Sequence, residues 1–350
     1  MEILRWIADE TLLHGLVAGL STSSLLAVII VCLFILTKGA DWMIDGVVSL
    51  AGRTGLPKIV IGATIISLGT TTPEAVVSVM AAWMGNPGLA LGNGVGSIIA
   101  DTGLIFGLTC LLAPVPMNRY ILNRTGWVQV GAATLLVGIA VSLLVVSPGE
   151  PILSRWVGGT FLLLLAGYMY VSYRWARSGK AKDTANAEVF EPMDLGKSLA
   201  MLLGGLTLVV VGARVLVPAA AEIAARIGVP DDVIAATMVA FGTSLPELVT
   251  AISSVRKGHP EITVGNIVGA DVLNCLFVVG AAAAARPLVV SPNFFTFHFP
   301  TMLIILYSFR VFIFMNRDGR FRKWQGGWLV AVYAVYIFLQ YALHIGTVQG

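Results

Sequence analysis

Two glutamates, Glu74 and Glu247, lie deep inside long apolar stretches of the chain, and each directly follows a proline. An ionisable side chain at that depth of a membrane span costs ~2.5–3.5 kcal/mol on insertion scales, and it usually faces a cavity or a partner. Because proline has no N–H to donate and clashes with the preceding turn, we expect freed carbonyl oxygens at 67–70 and 240–243. Carboxylate, hydroxyl and carbonyl oxygens are the hard ligands that Ca²⁺ binds, roughly six to eight at a time. The two segments therefore predict a site for a hard cation.

A second polar residue follows each glutamate on the next predicted helix. Asp101 and Asn274 each lie 27 residues after the glutamate of their own segment. Each is preceded by a glycine pair four residues apart, in GNGVG at 92–96 and GNIVG at 265–269. Small residues at this spacing let helices approach closely, so we expect Asp101 and Asn274 to lie beside the glutamates. A nucleotide-binding fingerprint is disfavoured, since the GxGxxG spacing and a preceding strand are both missing.

Two bases, Lys38 and Arg214, also lie deep inside apolar stretches. Pairing of the glutamates with a buried base is the alternative to a cation site, but neither base is placed to serve both glutamates. Asp41 and Arg214 hold equivalent positions in the two halves of the chain, offset by 173 residues. They either form an ion pair between the halves or extend to the membrane interface.

The chain contains an internal repeat that includes all these acidic segments. Residues 39–107 align with 212–280 at a constant offset of 173 without a gap, and 22 of the 69 positions are identical. The strongest block pairs GTTTPE at 69–74 with GTSLPE at 242–247. Five predicted spans separate equivalent positions, and an odd number inverts the second half in the membrane. Inverted repeats are frequent in transporters, with the substrate site at the repeat interface near the midplane. A channel or an enzyme could also contain a repeat, so the repeat alone does not decide the function.

Composition predicts that helices in a membrane carry these segments. Hydrophobic residues make up 57% of the 350 residues and charged residues 12%, whereas a soluble domain has about 25% charged residues. A bilayer crossing needs about 20 apolar residues. We therefore predict an all-α membrane protein with ten transmembrane helices arranged as two inverted five-helix repeats. The predicted spans are 23–46, 57–84, 88–113, 125–147, 151–173, 197–225, 229–255, 261–285, 294–315 and 325–346.

Three regions follow from these spans. Residues 1–173 form the first repeat with an N-terminal interfacial segment, for which a disordered tail is the alternative. Residues 174–196 form a cytoplasmic loop, and residues 197–350 form the second, inverted repeat. No stretch between the spans is long enough for a soluble domain. The three cysteines fall inside spans without metal-ligand spacing and are interpreted as small apolar residues.

Lys and Arg are distributed unevenly between the two sets of loops. Fifteen of them fall in loops on one side and four on the other, and the cytoplasmic side is the one rich in basic residues. We therefore predict an integral protein of a prokaryotic inner membrane with both termini outside the cytoplasm. The net charge of +3 reflects this orientation and not nucleic-acid binding.

The motifs carry a family resemblance over about 140 residues of the chain. GTTTPE with GNGVGSIIAD, and GTSLPE with GNIVGADVLN, resemble the two α-repeats of the calcium:cation antiporter superfamily. The resemblance implies ten helices, of which the long first and sixth slide against the rest. It also implies that the two motif glutamates bind Ca²⁺ and share in Na⁺ binding. The second motif's GTS start is similar to the Na⁺/Ca²⁺ branches, whereas proton-coupled members more often carry an Asn-containing motif before the glutamate.

The resemblance also implies a ligand set. The principal ligands are Glu74 and Glu247, with backbone or hydroxyl oxygens from Thr70 and Thr243, further hydroxyls from Thr71, Ser97 and Ser244, and Asp101 and Asn274 in the middle. Related archaeal exchangers commonly have Asn in the first repeat and Asp in the second, the reverse of this chain. Ala270 stands where a serine hydroxyl is expected, which puts the number of Na⁺ ions in question. Asp271 is either a fourth acidic group of the site or points elsewhere.

Clustered carboxylates repel one another when the site is empty, and one Ca²⁺, several Na⁺ or protons neutralise them. Competition for shared ligands predicts an antiporter that exchanges Ca²⁺ for Na⁺ by alternating access. The alternatives are a Ca²⁺/H⁺ or K⁺-dependent exchanger and, in another class, a cation channel. An intramembrane enzyme is the least favoured, because the four histidines lie outside the repeat cores or near span ends. The expected partners are Ca²⁺, Na⁺ and membrane lipid, with no cofactor, nucleic acid or obligate protein partner.

Overall fold

A computed structural model describes residues 15, 17–54, 56, 58–83, 85–146, 151–177, 193–227, 244–316 and 318–348. The helices are α1 (Thr22–Thr54), α2 (Lys58–Trp83), α3 (Pro87–Leu112), α4 (Arg119–Val146), α5 (Arg155–Arg177), α6 (Leu195–Arg226), α7 (Leu245–Arg256), α8 (Pro260–Ala285), α9 (Phe294–Met315) and α10 (Lys323–Val348). Four two-residue strands lie between helices: β1 (Val115–Pro116), β2 (Ile152–Leu153), β3 (Leu288–Val289) and β4 (Arg320–Phe321). The predicted all-helical membrane fold is confirmed.

Eight helices of the described part of the chain, α1 to α6, α8 and α9, are long and apolar enough to cross a membrane. They coincide with eight of the predicted spans. Helix α7 covers the end of the predicted span 229–255, whose first part lies outside the described residues. Helix α10, with 26 residues, coincides with the predicted span 325–346. The count of ten crossings, the two-repeat division and the boundaries at 173 and 197 stay predictions, and most of the N-terminal segment lies outside the described residues.

Helix α2 is not unwound at 67–70, where freed carbonyl oxygens were predicted. Residues Ser67–Trp83 are continuous α-helix through Pro73, and the irregular turn is a π-helical segment at Gly62–Ile66, immediately upstream. Side-chain hydroxyls explain the continuity, since Thr70 donates to the Ile66 carbonyl at 3.2 Å and Thr72 to the Leu68 carbonyl. These bonds reach the Ile66 and Leu68 carbonyls, whereas the Gly69 carbonyl, four residues before Pro73, has no proline N–H to accept from.

The proline of the second repeat lies at the start of a helix and not inside one. Pro246 lies in the first turn of α7, which begins at Leu245. A proline is tolerated there because the first N–H groups of a helix have no partner within the helix. The segment 240–243, for which freed carbonyls were also predicted, lies outside the described residues.

Helices α1 and α6 pack against each other with their backbones nearly in contact. A Cβ atom added at Gly205 would lie 2.5 Å from the Gly39 carbonyl oxygen, and one at Gly46 would lie 2.7 Å from the Ser198 carbonyl oxygen. Leu36 fills the space beside Gly212. The two long helices therefore form one closely packed pair, with apolar side chains such as Phe34 exposed at the outer surface.

Helix α8 is the most buried of the eight candidate spans. Its two motif glycines contact α2 directly, because a Cβ at Gly265 would lie 2.1 Å from the Ile59 carbonyl oxygen and one at Gly269 would lie 2.5 Å from that of Ala63. The close approach predicted from the GNIVG motif is confirmed. A π-helical segment begins at Asn274 in α8, and another begins at Ile99 in α3.

Contacts between loops agree with alternate crossing of the membrane. Strands β1 and β4 pair antiparallel and join the α3–α4 and α9–α10 connections. Strands β2 and β3 likewise join the α4–α5 and α8–α9 connections. Arg286, after α8, donates to the Trp83 carbonyl at the end of α2 at 2.9 Å. Loops predicted to share a side of the membrane are therefore together, while the side that faces the cytoplasm stays a prediction.

Candidate ion-binding site

Four helices each contribute one principal polar side chain to a buried centre. Glu74 comes from α2, Asp101 from α3, Glu247 from α7 and Asn274 from α8, and each is at most 2% exposed. Asp101 and Asn274 are the fifteenth residues of the 26-residue spans α3 and α8. At 1.5 Å per residue each lies about 20 Å from the start of its helix, near the middle of the helix.

The structure brings these four side chains together. The carboxyls of Glu74 and Glu247 lie within electrostatic range of each other, and both lie within range of Asp101. The amide nitrogen of Asn274 makes a long hydrogen bond of 3.5 Å to Asp101 Oδ2. The convergence predicted from the repeat is therefore observed for all four residues.

Several buried oxygen atoms at this centre have no hydrogen-bond partner within the described part of the chain. They are Thr71 Oγ1, Glu74 Oε2, Ser97 Oγ, Asp101 Oδ1, Ser244 Oγ, Glu247 Oε2 and Asn274 Oδ1. Native proteins rarely leave buried polar atoms unpaired, and each exception needs an explanation. The carboxylate and amide oxygens among them are acceptors that cannot satisfy one another, and the three hydroxyls alone would have to donate to all of them. A hard cation can satisfy carboxylate, amide and hydroxyl oxygens together. The donor set thus fits a cation such as Ca²⁺, which prefers carboxylate, amide and hydroxyl oxygens.

The hydroxyl residues of the predicted ligand set divide into two groups. Thr71 and Ser97 are buried with unpaired hydroxyls, and Ser244 is buried beside Asp101. The Thr70 hydroxyl is already used, since it donates to backbone carbonyls of its own helix and reaches Asn266 Oδ1 at 3.5 Å. Thr243 lies outside the described residues.

The acidic groups do not form a chelating cluster on their own. Within the described residues, no three His, Cys, Asp or Glu side chains are placed to hold one metal ion. Mutual repulsion favours separation of carboxylates that share a low-dielectric site. Binding of one ion would therefore need neutral oxygens as well as carboxylates.

Two asparagines of the repeat support the site and were not among the predicted ligands. Asn93 donates from Nδ2 to the Glu74 carbonyl at 3.1 Å and to Ser78 Oγ at 2.9 Å, so it fixes the turn that carries the glutamate. Its repeat equivalent, Asn266, accepts from Thr70. Both copies of the GN motif contain this asparagine, and that identity could have identified Asn93 and Asn266 as residues of the site.

The two bases that were alternatives as partners of the glutamates, Lys38 and Arg214, lie near different groups. Arg214 lies within electrostatic range of Glu74, which agrees in part with the pairing alternative for one of the two glutamates. Asp41 accepts a hydrogen bond of 2.5 Å from Ser253 on α7. Lys38 lies 6.0 Å from the centre of the Phe34 ring.

The histidines whose side chains are described bond to groups away from the site. His298 bonds Tyr336 at 2.8 Å, and His259 bonds Lys58 at 2.9 Å. Neither is paired with one of the site carboxyls in the part of the chain that the structure describes.

Comparison with known proteins places the chain beside ion exchangers. The family described as sodium/calcium exchanger protein matches residues 24–174 and 197–342. The sodium/calcium exchanger MaX1 of Methanosarcina acetivorans is 28% identical over 89% of this chain and 96% of its own length. The inner membrane protein YrbG of Escherichia coli is 33% identical over 80% of this chain and 85% of its own length. A solved structure of the sodium-calcium exchanger NCX_Mj, soaked with Na⁺ and Sr²⁺, covers 91% of this chain and 99% of its own with a TM-score of 0.74 and 26% identity.

Proposed function

Because the chain belongs to the sodium/calcium exchanger protein family, we propose that it is a secondary-active antiporter that exchanges Ca²⁺ for Na⁺ across a membrane by alternating access. Family membership supports a cation exchanger, and the choice of Ca²⁺ and Na⁺ rests on the chemistry of the buried centre. Ca²⁺ and Na⁺ are the transported substrates and not resident cofactors.

The observation that carries the proposal is the group of unpartnered buried oxygens around Glu74, Asp101 and Glu247. Three carboxylates at the repeat interface have too much negative charge for an empty site in a low-dielectric interior. One Ca²⁺ neutralises two of the charges and uses the amide and hydroxyl oxygens to complete its ligand shell. Two or more Na⁺ ions neutralise the same charges with the same oxygens.

Shared ligands turn this competition into exchange. The site changes from one side of the membrane to the other only when Ca²⁺ or Na⁺ occupies it. An empty site cannot make this change, so each transport step carries one ion or the other. We place the movement between the α1–α6 pair and the buried core around α8. Support comes from the close α1–α6 packing at Gly39 and Gly205 and from the greater burial of α8.

The test is a flux measurement on the purified, full-length protein in proteoliposomes. An outward Na⁺ gradient is expected to drive uptake of ⁴⁵Ca²⁺ against its own gradient. Uptake that is unaffected by removal of the Na⁺ gradient would contradict Na⁺ coupling. Vesicles that contain the Glu74→Gln variant serve as the control for leak.

The same vesicles separate the alternatives. Uptake driven by a pH gradient in Na⁺-free buffer would indicate Ca²⁺/H⁺ exchange, and a requirement for K⁺ would indicate K⁺-dependent exchange. A cation channel would instead pass current without a counter-ion on the opposite side. The midplane position of the site and its four contributing helices favour an exchanger, since a channel filter is usually built from rings of ligands along a continuous pore.

We also propose that the protein resides in the inner membrane of a prokaryote, oriented with its termini away from the cytoplasm. Pairing of β1 with β4 and of β2 with β3 brings together loops that the distribution of Lys and Arg assigns to the same side of the membrane. The basic loops, which include Arg53 and Lys58, would face the cytoplasm. Surrounding lipid is then the expected partner of the exposed apolar side chains on the outer helices.

A further inference from the structure

Asp271 is a buried carboxylate that the proposed exchange site does not use. It lies on α8 one turn before Asn274, and its Oδ2 atom accepts hydrogen bonds from two other helices. Gln129 Nε2 of α4 donates to it at 2.5 Å, and the Thr102 hydroxyl of α3 donates to the same oxygen. Asp271, Gln129 and Thr102 are each at most 1% exposed. We call these three side chains the accessory cluster.

Two oxygens of the accessory cluster are buried without a partner. They are Asp271 Oδ1 and Gln129 Oε1. Both atoms are acceptors, so they cannot satisfy each other, and a carboxylate buried without a counter-charge is strongly unfavourable. Within the described residues, the charged groups in electrostatic range of Asp271 are the carboxyls of Asp101 and Glu247. Asp271 thus has acidic neighbours, and the cluster contains free acceptors.

We infer that the accessory cluster binds the monovalent counter-ion of the exchange, with Na⁺ as the ion that the proposed function requires. This inference rests on that function and adds a second station beside the main site. The cluster supplies one carboxylate, one amide oxygen and one hydroxyl oxygen. A single negative charge is balanced by a single monovalent cation, whereas Ca²⁺ usually takes roughly six to eight oxygens and more charge.

The position of the cluster explains how it takes part in exchange. Thr102 directly follows Asp101 on α3, and Asp271 precedes Asn274 by three residues on α8. A cation at the accessory cluster thus lies next to the main site and repels a Ca²⁺ ion there. The oxygens of the accessory cluster also supply ligands next to Ala270, which has a methyl group where its repeat equivalent Ser97 has a hydroxyl.

Two flux measurements on the same proteoliposomes test this inference. The first is exchange of ⁴⁵Ca²⁺ for unlabelled Ca²⁺ in the absence of Na⁺, which requires the main site alone. The second is Ca²⁺ uptake as a function of internal Na⁺ concentration. For Asp271→Asn the half-maximal Na⁺ concentration should rise about tenfold, because a contact to a charged group is lost, while the rate of Ca²⁺ self-exchange should change much less.

Thr102→Val is the second variant, and Thr109→Val is its matched control. Both threonines are buried on α3, but the Thr109 hydroxyl bonds the Ile105 carbonyl of its own helix and not Asp271. Thr102→Val should raise the half-maximal Na⁺ concentration, and Thr109→Val should leave it at the wild-type value. If Asp271→Asn does not fold, as judged by size-exclusion chromatography, the threonine pair still decides the question.

The outcomes separate cleanly. Unchanged Na⁺ dependence in both Asp271→Asn and Thr102→Val would overturn the inference. Equal loss of self-exchange and Na⁺-driven exchange would also overturn it, since Asp271 would then belong to the main site or to the fold. A shift in pH dependence with Na⁺ dependence intact would assign the cluster to protons instead. If the wild-type protein performs Ca²⁺ self-exchange but its Ca²⁺ uptake does not depend on Na⁺, Na⁺ is not the counter-ion and the proposed function is wrong on that point. This result differs from all the outcomes above, which concern the variants.

Discussion

Asn274 reaches Asp101 across the repeat interface, with 3.5 Å between Asn274 Nδ2 and Asp101 Oδ2. The two residues hold equivalent positions in the two halves of the chain, 173 residues apart. A carboxylate from one repeat therefore contacts the neutral amide of the other at the middle of the molecule. Placing the acid in only one of two equivalent positions keeps the number of charges low while retaining a polar ligand on each side.

This relationship predicts the effect of moving the charge. Asp101→Asn removes one carboxylate and should weaken competition by Na⁺ or protons more than it weakens Ca²⁺ binding. The double variant Asp101→Asn with Asn274→Asp restores the charge count on the opposite helix. Because contacting residues couple by about 0.5–3 kcal/mol, the double variant should exceed the product of the single effects by about tenfold in Na⁺-driven flux.

Proteoliposome uptake under a Na⁺ gradient measures all three variants together with the wild type. Strictly multiplicative effects of the two substitutions would contradict the coupling. Equal losses of Ca²⁺ self-exchange and Na⁺-driven exchange in Asp101→Asn would contradict the proposed division of roles.

The two motif glutamates should be indispensable. Loss of a residue that merely supports a metal ligand costs ~10–100-fold in affinity, so Glu74→Gln and Glu247→Gln should each reduce Ca²⁺ transport by at least about 100-fold. Glu261→Gln is the matched control, because Glu261 pairs with Lys58 at 3.6 Å near the start of α8. This pair is partly exposed and lies outside the site, and ion pairs that solvent reaches contribute only about 0–1 kcal/mol, so the control should transport nearly normally. Near-normal transport by both Glu74→Gln and Glu247→Gln would show that these glutamates are not the principal ligands of the transported ion.

The repeat made most of the main site predictable from sequence. Asp101 and Asn274 could be placed beside the glutamates because the equivalent motifs of the two halves were predicted to meet. The glycine spacing of GNIVG predicted the close contact between α8 and α2 that Gly265 and Gly269 make. These inferences used only local spacing and symmetry, which the sequence contains directly.

Other features depended on contacts that no local pattern contains. Pro73 was expected to free carbonyls of its helix, but the helix continues through it with threonine hydroxyls bonded to nearby carbonyls, and the irregular π-helical segment begins upstream at Gly62. Gln129 lies outside both aligned segments, so no symmetry pointed to it, and only the packing of α4 beside α8 brings it to Asp271. Asn93 was visible in the repeat, but its role as a donor to the Glu74 carbonyl depends on three-dimensional placement.

Contact between α1 and α7 offers a test of helix movement. Asp45 Oδ1 on α1 and Lys257 Nζ at the end of α7 lie 2.6 Å apart, and both side chains are partly exposed, so cysteines at these two positions should be joined by a short thiol-reactive cross-linker. If α1 moves relative to α7 during transport, cross-linking should stop Ca²⁺ exchange, and reduction of a cleavable linker should restore it.

The double-cysteine protein before cross-linking provides the baseline rate, and each single-cysteine variant treated with the reagent provides the control. The native cysteines Cys32, Cys110 and Cys275 are buried and should not react. Undiminished exchange by fully cross-linked protein would show that α1 and α7 move together.

The close contact at Gly265 predicts a stability effect. Gly265→Ala adds a methyl group where the Ile59 carbonyl oxygen would lie 2.1 Å away, and overpacking of this kind typically costs ~1–3 kcal/mol. Gly138→Ala is the control, since no heavy atom among the described residues lies within 4 Å of its added Cβ. Thermal unfolding in detergent should show a clear fall in Tm for Gly265→Ala and none for Gly138→Ala. Equal Tm values for the two variants would mean that α8 and α2 are not in backbone contact.

The predicted orientation can be decided with two surface positions. Arg155 at the start of α5 and Arg320 in β4 are both exposed, and they belong to loops predicted on opposite sides of the membrane. Because the side with fifteen basic residues should face the cytoplasm and the side with four should not, a membrane-impermeant maleimide should label Arg155→Cys in right-side-out vesicles. Arg320→Cys should react only after the vesicles are permeabilised. The wild-type protein, whose three cysteines are buried, gives the background, and the opposite labelling pattern would reverse the orientation without altering the fold or the site.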